Sequence, residues 1–275
     1  MPSPRRVAGR AARDEGTPPA VAGSFYPADR STLATAVDRY VAAGRERLGD
    51  HVAAPKALIV PHAGYVYSGP IAGTAYAACG AGIERVVLLG PAHRTYVDGL
   101  AASSADAFAT PLGDVALDGG ARAHALRRPQ VGIGDAAHAG EHSLEVQLPF
   151  LQRILSHFTV LPLAVGDASH GAVAEVLDDL WGGEETLVLI SSDLSHYYDY
   201  DTACRLDAAT ARAIETLSPD ALGPDSACGR IPVGGLLLAA QRHGLRAQLL
   251  DLRNSGDTAG SRDEVVGYGA FAFWA

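Results

Sequence analysis

Three histidines of this sequence each follow an apolar run by only a few residues. They are His62 after residues 56–60, His93 after residues 84–90 and His196 after residues 186–191. Each run has the length and the β-branched content of a buried strand. In open α/β sheets, ligands bind beyond the carboxyl ends of the strands. Parallel pairing of these strands would therefore bring the three imidazoles to one edge of one sheet.

Two of these histidines, together with one cysteine, form a candidate metal site. Neutral imidazole and thiolate are good ligands for iron, copper or zinc, so His62, His93 and Cys228 are the candidate ligands. Cys228 precedes the last long predicted helix, and the N–H groups of a helix N-terminus favour a thiolate by lowering its pKa. The same cysteine could instead be a small buried apolar residue, or a nucleophile beside a histidine base.

Other polar residues near these runs are candidates for proton transfer or positioning. His196 is the candidate general acid/base, because an imidazole exchanges protons near neutral pH. Asp193 would orient an imidazole or a ligand, and its alternative role is an N-cap of the following segment. His142 and Glu145 lie three residues apart on a predicted helix and share a face. They are candidates for substrate binding, and the spacing could also bind metal. The alternative is a capping and packing role with a supporting polar contact at the site.

The bulk composition is typical of a globular α/β chain. Its 275 residues are 48% hydrophobic and 19% charged, enough to bury a full core. The net charge of −9 argues against a nucleic-acid partner, and no apolar run has the length of a membrane span. Three cysteines are too few for a disulfide scaffold, so a reducing cytoplasm is the expected location.

A single domain is expected over residues 18–275, preceded by a disordered tail at residues 1–17. The tail contains Arg5 and Arg6, but no apolar segment follows them, which argues against a twin-arginine export signal. Within the domain, strand patterns alternate with helix patterns. This alternation predicts an α/β fold with a mostly parallel sheet and helices on both faces.

Several local boundaries also follow from the sequence. Ser31 is the predicted N-cap of the first helix. Residues 71–79 are predicted to be helical, and residues 99–118 to contain a hairpin. Residues 141–155 are predicted to form a helix that Pro149 either kinks or accommodates in a first turn.

Seven short stretches, in the same order along the domain, match a known family. They are residues 22–27 (AGSFYP), 61–65 (PHAGY), 90–93 (GPAH), 141–145 (EHSLE), 191–196 (SSDLSH), 228–230 (CGR) and 266–269 (VGYG). On these stretches the chain resembles the Memo family, bacterial members of which are labelled AmmeMemoRadiSam system protein B. The match extends over nearly the whole chain.

The resemblance implies a fold and a reaction class. The family's fold is similar to that of class III extradiol dioxygenases, non-haem iron enzymes that open catechol rings and hold iron with two histidines and a glutamate. In the Memo family a cysteine replaces that glutamate. The resemblance therefore implies His62, His93 and Cys228 as ligands, and His196 as the counterpart of the dioxygenase acid/base. Non-haem Fe(II) is the expected metal, with copper or zinc as alternatives.

Three functions of different classes follow. The first is a metal-dependent oxidoreductase that uses O₂ on a small aromatic or chelating substrate, with Tyr65 and Arg230 shaping or charging the pocket. The second is an accessory protein that binds a peptide or a metal at the same site. The bacterial label implies an AMMECR-type protein and a radical-SAM protein as partners. The third is metal-free hydrolysis with Cys228 as the nucleophile.

Overall fold

The computed structural model describes residues 17–49 and 54–275. The strands in this part are β1 (Ala57–Val60), β2 (Arg85–Pro91), β3 (Leu100–Ala102), β4 (Ala107–Thr110), β5 (Gly113–Ala116), β6 (Val131–Ile133), β7 (Thr159–Val165), β8 (Thr186–Ser191), β9 (His196–Tyr198), β10 (Arg246–Asn254) and β11 (Val265–Trp274). The disordered tail predicted at residues 1–17 lies outside the described residues, except for Thr17, which forms a bridge with Phe108.

The α-helices alternate with these strands along most of the chain. They are α1 (Arg30–Leu48), α2 (Tyr65–Ala77), α3 (Gly119–Ala125), α4 (Asp135–His138), α5 (His142–Glu145), α6 (Leu148–Ile154), α7 (His170–Leu180), α8 (Tyr200–Glu215) and α9 (Arg230–Arg242). Short 3₁₀ turns lie at Pro219–Ala221 and Ser255–Asp257. Every helix in the described residues is too short or too polar to span a bilayer.

The main sheet has a parallel centre and antiparallel flanks. Its strand order is β10-β11-β1-β8-β2-β7-β3-β6, and β9 adds to β11. The neighbours β1, β8, β2 and β7 are all parallel, whereas β11 pairs antiparallel with β1, and β3 antiparallel with β7. This confirms the expected mostly parallel sheet. The hairpin predicted within residues 99–118 is also confirmed, as the separate pair β4–β5.

Both faces of the sheet are covered, as the continuous apolar runs predict. Along β1, Leu58 and Val60 pack into a core with α1, α2 and α6. Ala57 and Ile59 pack into a second core with α7, α8 and α9. Successive side chains of a strand point to opposite faces, so one buried strand contributes to two cores.

The central strands also place the candidate site. β8 lies between β1 and β2, and all three run in the same direction. They end at Val60, Ser191 and Pro91, so the segments that carry the three predicted histidines begin at one edge of the sheet. The strand-end prediction therefore holds because the three strands are immediate neighbours.

Helix boundaries depart from the sequence prediction where tertiary packing decides. The N-cap of α1 is Asp29, whose carboxylate accepts from the Thr32 N–H, and not Ser31, which donates to that carboxylate. Residues 141–155 form two helices, α5 and α6, with Pro149 in the first turn of α6. The helix predicted at residues 71–79 begins earlier, at Tyr65.

α2 begins early because its glycines serve packing and not chain termination. α1 and α2 cross so closely that a Cβ on Gly73 would lie 2.4 Å from the carbonyl oxygen of Tyr40. A Cβ on Gly44 would likewise lie 2.4 Å from the carbonyl oxygen of Gly73. The absence of side chains therefore lets the two backbones touch, which a reading of glycine as a helix breaker misses.

We expect Gly73→Ala to destabilise the fold although alanine is the better helix former. Helix propensity alone would raise the free energy of unfolding by about 1 kcal/mol. Overpacking against the α1 backbone would lower it by about 1–3 kcal/mol or more. Urea unfolding measures the free energy of unfolding. The control is Gly132→Ala in β6, where nothing lies within 4 Å of the added Cβ; its change should stay within about 0.5 kcal/mol. Equal or higher stability of Gly73→Ala would contradict the close crossing.

Candidate metal centre

Three potential ligand atoms meet beyond the carboxyl ends of β1 and β2. One atom each from His62, His93 and Cys228 lie within 4.8 Å of one another. The Nε2 atom of His62 is 3.3 Å from the Sγ atom of Cys228, and the two imidazole ring centroids are 5.3 Å apart. His62 is buried, Cys228 is half-buried and His93 is exposed, so the group is buried on one side and open to solvent on the other.

Glu141 fixes the orientation of His93. One carboxylate oxygen accepts the His93 backbone N–H at 2.6 Å, and the other lies 3.0 Å from the ring Nδ1 atom. Burial alone would raise the pKa of Glu141, but the hydrogen bonds from His93 and Ser143 lower it to about 2. An ionised carboxylate only accepts hydrogen bonds, so Nδ1 carries a proton, and in a neutral ring the Nε2 atom has a lone pair that a metal could bind.

Asp193 links His62 to Cys228. Its carboxylate accepts the His62 backbone N–H at 2.7 Å, and its other oxygen lies 4.0 Å from the His62 Nε2 atom. Its own backbone N–H points at the Cys228 sulfur, 3.3 Å away. Burial raises the pKa of Asp193 to about 7, against the opposing effect of the N–H groups of His62 and Ala63. Asp193 thus orients both ligands and leaves an anionic oxygen beside the site above neutral pH.

Cys228 lies just before a long helix, as the sequence predicts, but its pKa is not lowered. α9 begins at Arg230, two residues later, with Gly229 as its N-cap. Burial, and then the Asp193 carboxylate, raise the pKa of the Cys228 thiol to about 12. Gly229 brings this loop against β8, because a Cβ there would lie 2.7 Å from the Ser192 side chain. In the absence of a cation the sulfur is therefore a thiol, and a metal must displace its proton.

His196 has a bare nitrogen facing away from the backbone. Its Nδ1 atom lies 2.8 Å from the carbonyl oxygen of Leu194, which can only accept, so the proton is on Nδ1 and Nε2 is a free base. Burial lowers the pKa of His196, and the nearby His93 lowers it further. The pKa of His62 is well below its usual range because of burial and three neighbouring histidines, His196 among them. Both imidazoles are therefore neutral at pH 7.

His142 belongs to the site, and Phe25 covers it. The His142 ring stacks on His93 with centroids 4.8 Å apart, and the Phe25 ring centroid lies 4.6 Å from that of His142. Burial lowers the pKa of His142 to about 4. His93, Glu141 and His142 form a second group whose potential ligand atoms lie within 4.8 Å of one another.

Three residues predicted for substrate binding have other contacts in the structure. Glu145 accepts from the backbone N–H groups of Ala20 and Val21, and from the Tyr26 hydroxyl, so it anchors the N-terminal segment. The Tyr65 hydroxyl donates to the Val146 carbonyl at 2.6 Å. Arg230 lies near His170, whose pKa is lowered by burial and then by this guanidinium. Their roles toward a substrate stay predictions.

The sequence reasoning missed Glu141 and Ser191 as partners of the ligands. Both stood in recognised stretches, but neither was given a role. The sequence signal that could have indicated the role of Glu141 was its position just before His142, in a segment rich in apolar residues. A carboxylate that is only 3% exposed needs several donors, and here His93 supplies two of them.

Fold and site together define a class: α/β proteins with two histidines and a cysteine at the carboxyl edge of a mostly parallel sheet. The chain matches the family described as Memo-like protein over residues 17–272. A MEMO1 family protein of Aquifex aeolicus is 37% identical over 91% of this chain and 96% of its own length. Those of Ignicoccus hospitalis and Aeropyrum pernix are 36% and 37% identical over 93% and 92% of this chain, and over 98% and 97% of their own lengths.

The chain belongs to the Memo family, and the resemblance drawn from the sequence motifs is confirmed. The donor set is one that could hold a metal ion. His93 offers its Nε2 atom, Cys228 offers its sulfur, and the two lie with His62 in one cluster. Two imidazoles and one thiolate are the donors that iron, copper and zinc accept.

We expect zinc affinity to rise about tenfold per pH unit between about pH 7.5 and 8.5. The Cys228 thiol has a pKa of about 12, so the thiolate fraction in this range increases tenfold for each unit. His62 is already neutral there and adds no slope. Competition with a chromophoric chelator measures the dissociation constant. The matched variant is Cys228→Ser, whose hydroxyl does not ionise in this range, so its slope should vanish. A flat profile for the wild-type protein, or an unchanged slope in the variant, would contradict thiolate ligation.

Proposed function

We propose that this protein is a metal-dependent oxidoreductase of the non-haem type that acts on a small aromatic or chelating substrate with O₂. His62, His93 and Cys228 would hold the ion. The observation that carries the proposal is the convergence of these three ligand atoms within 4.8 Å beside a neutral imidazole, His196. Ligands and a proton acceptor are the two components that such chemistry requires.

A bound iron or copper ion would supply Lewis acidity and electrons for O₂ chemistry, whereas zinc would supply Lewis acidity alone. Fe(II) is the first candidate because two histidines and one further protein ligand leave open positions. The sulfur of Cys228 is softer than a carboxylate oxygen and favours copper or zinc as alternatives. Iron, copper and zinc are therefore each to be compared in the oxygen-uptake experiment.

The residues of the chain provide proton transfer and orientation. His196 would accept a substrate hydroxyl proton at Nε2, since its Nδ1 proton is held by the Leu194 carbonyl. The second function of that hydrogen bond is to keep the ring in place as the charge changes. Asp193, hydrogen-bonded to the His62 backbone and to the Cys228 sulfur, would hold these two residues in fixed positions relative to each other.

Aromatic side chains near His196 and His142 support an aromatic substrate. Tyr197 follows His196, is 72% exposed, and has a backbone φ of 62°, in the left-handed region that favours glycine. Its ring centroid lies 5.8 Å from that of His196. A large apolar residue held outward on a strained backbone is typical of a ligand-binding position. Phe25 adds a second ring on the His142 side.

The alternative is an accessory role in which the same residues hold a metal or a peptide without turnover. The observation that favours it is the sulfur ligand. A thiol is oxidisable and is an unusual companion for O₂ chemistry. Both proposals share the metal centre and differ in whether His196 transfers a proton.

Oxygen uptake after anaerobic reconstitution separates the two. We expect the Fe(II) protein to consume O₂ only when a catechol is added, and His196→Ala to lower the rate by about 10²–10⁴-fold while keeping its metal. The control is His157→Ala, an exposed histidine outside the site, which should retain the wild-type rate. Copper and zinc are loaded in parallel. A metal-loaded protein that consumes no O₂ with any catechol would contradict the oxidoreductase and favour the accessory role.

A further inference from the structure

A chain of buried polar groups lies behind His62 and takes no part in the chemistry above. It runs from the Tyr76 hydroxyl through the Gln147 amide and the Ser191 hydroxyl to the Nδ1 atom of His62. These side chains are at most 2% exposed. The steps measure 2.7 Å from Tyr76 to Gln147, 2.8 Å from Gln147 to Ser191, and 2.9 Å from Ser191 to His62. A buried and fully paired chain can have only certain proton positions.

The amide of Gln147 has one permitted orientation. One end of this amide lies 3.1 Å from the Pro61 carbonyl oxygen, which only accepts. The NH₂ group must therefore face Pro61, and its second hydrogen points at the Ser191 oxygen. The amide oxygen faces the other way and accepts from Tyr76. The Ser191 oxygen thus already receives one hydrogen bond.

The hydrogen of the Ser191 hydroxyl likewise has a single permitted acceptor. The Ser191 oxygen lies 2.5 Å from the Ser143 carbonyl oxygen, and two bare oxygens at that distance would repel each other. The hydroxyl therefore donates to Ser143. With its hydrogen used, Ser191 can only accept from His62, so the His62 proton must be on Nδ1. The opposite ring nitrogen, Nε2, is then a lone pair facing the Cys228 sulfur.

We propose that Ser191 is a positioning residue that sets the tautomer of His62, with Gln147 and the Ser143 carbonyl fixing the direction of its hydroxyl. This chain of hydrogen bonds leaves His62 in the tautomer that can bind a metal even in the metal-free protein. The other tautomer would direct an N–H group at the sulfur and the ion. The two histidine ligands reach the same state by different means. His93 uses the Glu141 carboxylate, whereas His62 uses neutral groups that add no charge to the buried side of the site.

The inference deepens the proposed metal centre and rests on it for its consequence, but the tautomer itself is measurable without metal. Long-range ¹H–¹⁵N spectra of the metal-free, ¹⁵N-histidine-labelled protein distinguish a protonated ring nitrogen from a bare one. We expect His62 in the wild-type protein to show a protonated Nδ1 and a bare Nε2. A protonated Nε2 would overturn the proposal, whatever the variants do.

The matched variants test cause and consequence. Ser191→Ala should give a mixture of tautomers or a protonated Nε2, and should weaken zinc binding by about 10–100-fold. Ser191→Thr keeps the hydroxyl and should restore both readouts. Gln147→Leu removes one hydrogen-bond partner of the Ser191 hydroxyl. It should change the His62 tautomer and the zinc affinity less than Ser191→Ala does. The control is Ser103→Ala, which deletes a buried hydroxyl that donates to Asp135, and its zinc affinity should change by less than about threefold.

Two outcomes separate this inference from the proposed metal centre. A wild-type protein with the expected tautomer but no affinity for zinc, iron or copper contradicts the metal centre and leaves the tautomer chain standing. A protein that binds metal normally, and whose Ser191→Ala variant keeps both the protonated Nδ1 and the wild-type affinity, contradicts the role of Ser191. If Ser191→Ala does not fold, the wild-type spectrum and Gln147→Leu still decide.

Discussion

The parallel hydrogen-bond ladder that joins β1, β8 and β2 is the constraint on which the site depends. Because these strands are neighbours with a common direction, their carboxyl ends lie side by side, and the chain leaves each one within a few residues of a polar side chain. His62, Asp193 and His93 owe their proximity to that ladder and not to any attraction among themselves. Two apolar cores, one on each face, keep the ladder rigid.

Much of this arrangement could be predicted from the sequence, for a clear reason. Strands buried on both faces appear as continuous apolar runs, so the ends of β1, β2 and β8 could be located to within a residue or two. The first polar side chains beyond those ends were then natural candidates. Cys228 does not directly follow a strand, so it was identified by its chemical type, by its place before a predicted helix and by the family resemblance. The fold class, the hairpin β4–β5 and family membership are confirmed.

The features of the site that could not be predicted depend on contacts between distant parts of the chain. The Glu141 carboxylate reaches His93 across 48 residues, and the Ser191 hydroxyl reaches Ser143 across a similar span. Neither spacing has a sequence signature. The raised pKa of the Cys228 thiol arises from burial beside Asp193, which overrides the helix-terminus argument. The short strands β3, β6 and β9, three residues each, carry too little pattern to stand out from loops.

The three candidate ligands are supplied in two different ways, and this has an evolutionary consequence. His62 and His93 follow the ends of core strands, so moving either would require a new strand register. Cys228 arrives on a loop ahead of α9, held against β8 through Gly229 and Ser192. Selection could therefore exchange the third donor by a single codon without disturbing the scaffold.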